Sequence, residues 1–292
     1  MRLSTTINFF IYQDDGSYKA YKEDLQHYAA LGYKALDAIF CSAAEPDSPL
    51  LTSRWMDWAK EMREEADRLG ITFVQTHLPF YNFCDPVTGI IADTEEILEK
   101  TICCTKILGA GWTVAHPGTD YGASMLEVTR EKNIEYFSRH LELAEKNDIG
   151  ICIENMADFP GQGFKRNYGS SVELLCELVD ALSENFGNVG ICWDFGHANL
   201  MYQDQASCLR YISDRLKVTH VHDNNGDYDE HRPPYMGNVS WETIMPVLKE
   251  IGYKGDFSFE VRRMGQHVPR YLSDSLWAYL LNVGEYLISL AE

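Results

Sequence analysis

The chain has 292 residues, 45% hydrophobic and 24% charged, the balance of an ordinary globular protein. Its formal charge of -19 repels phosphate backbones, and no Lys/Arg cluster offsets it, so general nucleic-acid binding is disfavoured. The apolar stretch "LWAYLLNVGEYLISL" is broken by Asn282, Gly284 and Glu285, and "MRLSTTINFFIYQDDG" lacks the apolar core of a secretory signal, so no membrane contact and a cytoplasmic location are expected.

Along the chain, one unit recurs: an amphipathic helical segment, a glycine, then a short apolar run. It is visible in "YAALGYKALD" (Gly32), "ADRLGITFVQ" (Gly70), "KILGAGWTVA" (Gly109, Gly111) and "LKEIGYKGDF" (Gly252). Glycine tolerates the left-handed conformation that closes helices, and the apolar run reads as a buried strand. Taken in order, strands are predicted near Thr5–Ile11, Lys34–Ile39, Thr72–His77, Thr113–His116, Gly150–Glu154, Gly190–Asp194, Val218–His222 and Asp256–Glu260. Helical segments lie between them, and a last helix follows from about Arg270 to Leu290. Strand and helix alternate without a linker, which predicts an α/β fold: a (β/α)8 TIM barrel in one domain over residues 1–292. A doubly wound sheet would place a phosphate-binding glycine loop after its first strand. "FFIYQDDGSYK" is not one, and "GQGF" at Gly161 is too short to count. The 8 cysteines are scattered without a C-x-x-C pair and read as free thiols, mostly buried.

Active sites of such barrels lie at the C-terminal ends of the strands. Here strand three ends at His77, four at His116, five at Glu154, six at Asp194 with His197 three residues on, seven at His222 and eight at Glu260. Strand residues alternate faces. Glu154 therefore shares a face with Cys152, Asp194 with Cys192 and Glu260 with Ser258, opposite larger apolar side chains. The smaller, more polar face should point into the barrel. His220 and His222 share the inward face; His220 lies deeper and reads as structural. Parity is weaker at His77 and His116. Singly, each residue has an ordinary reading, as a core histidine or a helix-capping carboxylate. Jointly, carboxylates converging on one rim repel, and a divalent ion is the natural counter-charge. Mixed oxygen and nitrogen donors suit Mn or Zn. After strand seven, "DNNGDYDEHRPP" either solvates a loop or returns Asp229 and His231 to the site.

The motifs "CIEN", "WDFGH", "HVHDN", "DEH" and "IGYKGDFSFE", in this order on successive units, resemble the xylose isomerase-like barrel superfamily. That group joins sugar isomerases and epimerases to the endonuclease IV family. The resemblance implies a metal at Glu154, Asp194, His222 and Glu260. In the ketose 3-epimerases the glutamates matching Glu154 and Glu260 are also the acid/base pair. The endonuclease IV branch has further ligands at positions matching His77, His116, His197, Asp229 and His231, and holds three zinc ions. In sugar-isomerase branches some of these positions contact substrate hydroxyls.

Two enzymatic functions follow. The first is a metal-dependent isomerase or epimerase of a small sugar, sugar phosphate or cyclitol, acting by proton transfer through a metal-stabilised enediolate. Phe80, Tyr81 and Phe83 would pack on the sugar, Arg232 or Arg262 would take a distal oxygen, and "MADFPGQGFKRNYGSS" would form a lid. The alternative is a zinc-cluster phosphodiesterase acting on abasic DNA, which the chain's charge opposes. A non-catalytic sugar-binding barrel fits a complete ligand set poorly. Homo-oligomerisation is compatible with either enzyme.

Overall fold

A computed structural model describes residues 1–9, 21–44, 48–84, 91–122, 126–158, 166–201, 204–261 and 269–292. Eight parallel strands form one sheet: β1 (Leu3–Asn8), β2 (Ala35–Ile39), β3 (Thr72–His77), β4 (Trp112–Ala115), β5 (Gly150–Glu154), β6 (Val189–Asp194), β7 (Leu216–His220) and β8 (Phe257–Phe259). The order β7-β6-β5-β4-β3-β2-β1-β8 follows the chain, with β8 beside β1. The remaining seam is closed by one bridge between Val221 and Phe259. Val221 N–H donates to Ser258 O at 2.8 Å, and Glu260 N–H donates to Val221 O at 3.0 Å. The bonds that close the barrel thus also fix the backbone beside His222 and at Glu260.

Outside the sheet run α1 (Tyr21–Leu31), α2 (Trp55–Leu69), α3 (Ile91–Leu108), α4 (Leu126–Lys146), α5 (Val172–Ser183), α6 (Phe195–Leu200), α7 (Gln205–Ile212), α8 (Trp241–Glu250) and α9 (Arg270–Leu290). Gly70 ends α2 with φ +68°, and its N–H donates back to the last turn, as the recurring glycine predicts. None of the helices described is long and apolar enough to cross a membrane.

The core has two layers. The outward faces of the strands carry Ile151, Ile153, Ile191, Trp193, Phe257 and Phe259, all fully buried in one apolar cluster with residues of the helices. Each such side chain contributes on the order of 1.5–3 kcal/mol by leaving water. Inside the barrel a small cluster of Val114, Cys152, Cys192 and Val218 lies beneath a polar layer that includes Asp37, Gln75, His220 and Ser258.

The weak parity of β3 and β4 has a physical cause. Thr76 bonds the hydroxyls of Thr105 and Thr113 at 2.7 Å each, so the outward face is polar too. On the inward face His77 follows Gln75 and His116 follows Val114. Strand ends differ from expectation by one or two residues: His116, His222 and Glu260 stand just beyond β4, β7 and β8. Within β1 the described strand stops at Asn8, and Ile11 lies outside the described residues. All 8 cysteines are free.

Candidate metal centre

Glu154, buried at the end of β5, is the hub. Its Oε2 lies 3.0 Å from His116 Nε2 and 3.3 Å from His77 Nε2, and those two nitrogens are 3.1 Å apart. Its Oε1 lies 3.1 Å from His220 Nδ1 and 3.5 Å from His197 Nδ1. Candidate donor atoms of Glu154, Asp194, His220 and Glu260 fall within 4.8 Å of one another. The imidazole in that group is His220, where the sequence points to His222. His222 joins through Asp194, its Nε2 lying 3.0 Å from Oδ1.

A further group stands at the rim. Asp229 Oδ2 lies 3.0 Å from His231 Nε2 and 3.7 Å from His197 Nε2, and Asp229 Oδ1 lies 3.6 Å from His222 Nε2. The loop after β7 therefore does return to the site. Asp223 organises it, accepting from the N–H groups of Asn224, Tyr235 and Val239 and from Trp241 Nε1, all within 3.1 Å. His231 sits at φ +48°, a conformation a non-glycine residue adopts only when its surroundings hold it. Its Nδ1 bonds Glu260 O at 2.8 Å.

Whether these side chains fit an ion can be judged from how the rings are oriented. Nδ1 of His77, His197 and His231 each donates to a backbone carbonyl, of Leu78, Asn155 and Glu260. Each ring thereby turns its Nε2 into the cluster, the arrangement typical of metal-binding histidines. With buried carboxylate oxygens, the donor set fits a divalent ion.

This chain matches the xylose isomerase-like TIM barrel family over residues 25–279. It belongs to that family. An uncharacterized protein of Methanocaldococcus jannaschii is 30% identical over 212 residues, covering 69% of this chain and 68% of the relative. A probable endonuclease 4 of Staphylococcus carnosus is 30% identical over 166 residues, which is 52% of this chain and 53% of that protein. A solved D-psicose 3-epimerase shares the fold with a TM-score of 0.76 at 14% identity, 99% of each chain being covered.

Within the cluster, buried charges of opposite sign balance one another. Burial raises the Glu154 carboxyl, but His220 and His116 outweigh it and hold it well below the usual carboxylate range. Burial likewise raises Asp229, and His197 and His231 pull it down further. Burial lowers His197, yet Asp194, Asp229 and Glu154 lift it to about 10. His116 is lowered, burial outweighing Glu154. A divalent cation would replace protons on these rings.

The remaining sequence-derived residues separate. Phe80 is 56% exposed, with its ring 4.6 Å from that of His116, at the mouth of the site. The Tyr81 hydroxyl donates to Glu95 and lies 3.0 Å from that of Tyr136, so it anchors its loop to α3 and α4. Arg232 bonds Glu230 and Met236 O within its own loop. Arg262 and residues 159–165 of the expected lid lie outside the described residues.

Sequence reasoning missed four supports. Asn155 clamps β5 to β6, accepting Asp194 N–H at 2.6 Å and donating to Asp194 O at 2.9 Å. Gly196 makes room for His222, a Cβ there falling 1.8 Å from His222 Cε1. Asp223 shapes the return loop, and Asp37 pairs with His220. Asp37 carried a signal, an ionisable residue inside the apolar run "KALDAIF".

Proposed function

We propose that the protein is a metal-dependent isomerase or epimerase of a small keto or aldo sugar, with Glu154 and Glu260 moving the proton. The observation that carries this is the convergence of two buried glutamates from β5 and β8 on one group with Asp194. The residues that would hold the ion are Glu154, Asp194, His222 and Glu260, with Mn or Zn suited to them. When bound, the ion supplies Lewis acidity to adjacent oxygens of the sugar. One glutamate takes the proton beside the carbonyl and the other returns one, a contribution of about 10²–10⁴ in rate from each positioned group. Return to the opposite face inverts a centre; return to the neighbouring carbon moves the carbonyl. Phe80 offers an apolar face to the sugar's C–H groups, while His197, Asp229 and His231 offer hydrogen bonds to its hydroxyls. Likeness to a D-psicose 3-epimerase and the acidic chain support the reading.

The test is incubation of Mn²⁺-loaded protein with a panel of ketoses, D-fructose included, followed by chiral separation of the products. A new epimer or aldose is expected, and an unchanged panel contradicts the proposal.

A second reading has its own observation. His77, His116 and Glu154 form one candidate ion group, and His222, Asp229 and His231 form another. Such a set, together with the Staphylococcus carnosus relative, favours a multi-zinc phosphodiesterase. The charge of -19 weighs against a DNA substrate. Metal analysis separates the two: one ion per chain accords with sugar chemistry, and three with zinc-dependent cutting of an abasic duplex.

A further inference from the structure

Beneath the rim lies a buried hydrogen-bonded chain that the proposed reaction does not use. His220 and Asp37 are both fully buried. They come from β7 and β2, which are not neighbours in the sheet. His220 Nε2 lies 3.2 Å from Asp37 Oδ2. His220 Nδ1 lies 3.1 Å from Glu154 Oε1 and 3.3 Å from Glu260 Oε2. Asp37 Oδ2 also accepts from Gln75 Nε2 at 2.8 Å and from Ser258 Oγ at 3.4 Å, so it is held from two further strands.

An ionised carboxylate only accepts hydrogen bonds, so the Nδ1 that faces both glutamates meets them as a donor. One N–H then points between an oxygen of Glu154 and an oxygen of Glu260. We propose that His220, held by Asp37, is a positioning residue that sets the spacing of these two glutamates. It holds one oxygen of each from below and leaves the other for the ion or the substrate. The proposal rests on the metal-centre reading above. It gives a specific task to the structural role expected of His220.

Two near-isosteres separate positioning from packing. Asparagine places its amide nitrogen near the Nδ1 position and keeps a donor toward the glutamates. Glutamine places its nitrogen near the Nε2 position and keeps only the link to Asp37. Wild type, His220→Asn, His220→Gln and Asp37→Asn are stripped with chelator and titrated calorimetrically with Mn²⁺ and with Zn²⁺. Outer supports of metal ligands typically contribute about 10–100-fold in affinity, and a loss of that size is expected for His220→Gln. His220→Asn should retain clearly more affinity, with Asp37→Asn between the two. Equal affinity in both histidine variants, or losses that merely follow lowered melting temperatures, overturns the proposal. If neither histidine variant folds, Asp37→Asn decides, and wild-type affinity there also overturns it. A wild-type protein that takes up neither ion contradicts the metal centre itself, and this proposal falls with it.

Discussion

The imidazole of His222 lies where a side chain on residue 196 would begin: a Cβ built on Gly196 falls 1.8 Å from His222 Cε1 and 2.2 Å from Nδ1. The glycine of "WDFGH" is thus a space reserved for the ring that meets Asp194. Gly196→Ala should push His222 off Asp194 and cut Mn²⁺ or Zn²⁺ affinity by at least about tenfold, the scale of a lost ligand support. Calorimetric titration of the stripped variant checks it, with circular dichroism confirming the fold. Wild-type affinity would show that His222 is not needed.

Asp223 is expected to matter for stability as well as for the site. Its carboxylate accepts three backbone N–H groups and the Trp241 indole. Asp223→Ala leaves those donors unpaired in a buried place, a penalty of about 1–3 kcal/mol for each one that water does not reach. Urea denaturation should show a loss of on the order of 3 kcal/mol, and ion uptake should fall because Asp229 and His231 lose their loop. Asp223→Asn, which keeps one acceptor, should lose less on both measures.

Phe80 and Tyr81 are adjacent in sequence and should respond oppositely. Phe80 is exposed at the mouth, so Phe80→Ala should raise KM several-fold while leaving the melting temperature unchanged. The Tyr81 hydroxyl is held by Glu95 and Tyr136, so Tyr81→Phe should lower stability by about 1 kcal/mol with little change in KM. Steady-state kinetics and thermal unfolding on the same two variants check both halves.

The same anchor gives an acid dependence. Burial raises the Glu95 carboxyl, but hydrogen bonds from His140 and Tyr81 outweigh it and hold it below its ordinary value. A carboxyl depressed in the folded state adds stability that is full above its unfolded value, about 4.3, and is lost as pH falls through the folded one. Glu95→Gln should therefore destabilise the protein at pH 7 and reduce the fall in stability below pH 4. Urea midpoints from pH 3 to 7 measure this; identical slopes for wild type and variant would contradict it.

How far the sequence reaches differs by level. The barrel is legible because strand and helix alternate throughout, with helix, glycine and apolar run recurring at Gly32, Gly70, Gly109 and Gly252. The rim was legible where parity contrasts are strong, as at Glu154 beside Ile153 and Asp194 beside Trp193. It blurred at His77 and His116 because Thr76 and Thr113 make the outward face polar too. Contacts between distant strands were not legible. Nothing local to Asp37 says that β2 brings it beneath His220, and nothing in "DYDEH" says that Asp223 folds it back. Sequence did not separate Phe80 from Tyr81, because an aromatic run after a strand looks the same whether it lines a mouth or anchors a loop.

The central claim is proton transfer on a small sugar by Glu154 and Glu260. Its most direct test is incubation of ketoses with Mn²⁺-loaded protein in deuterated water, read by NMR at the carbon next to the carbonyl. The account predicts deuterium at that carbon for at least one sugar with wild type, and none with the correctly folded Glu260→Gln variant. Absence of exchange with every sugar, alongside zinc-dependent cutting of an abasic-site duplex, would contradict it.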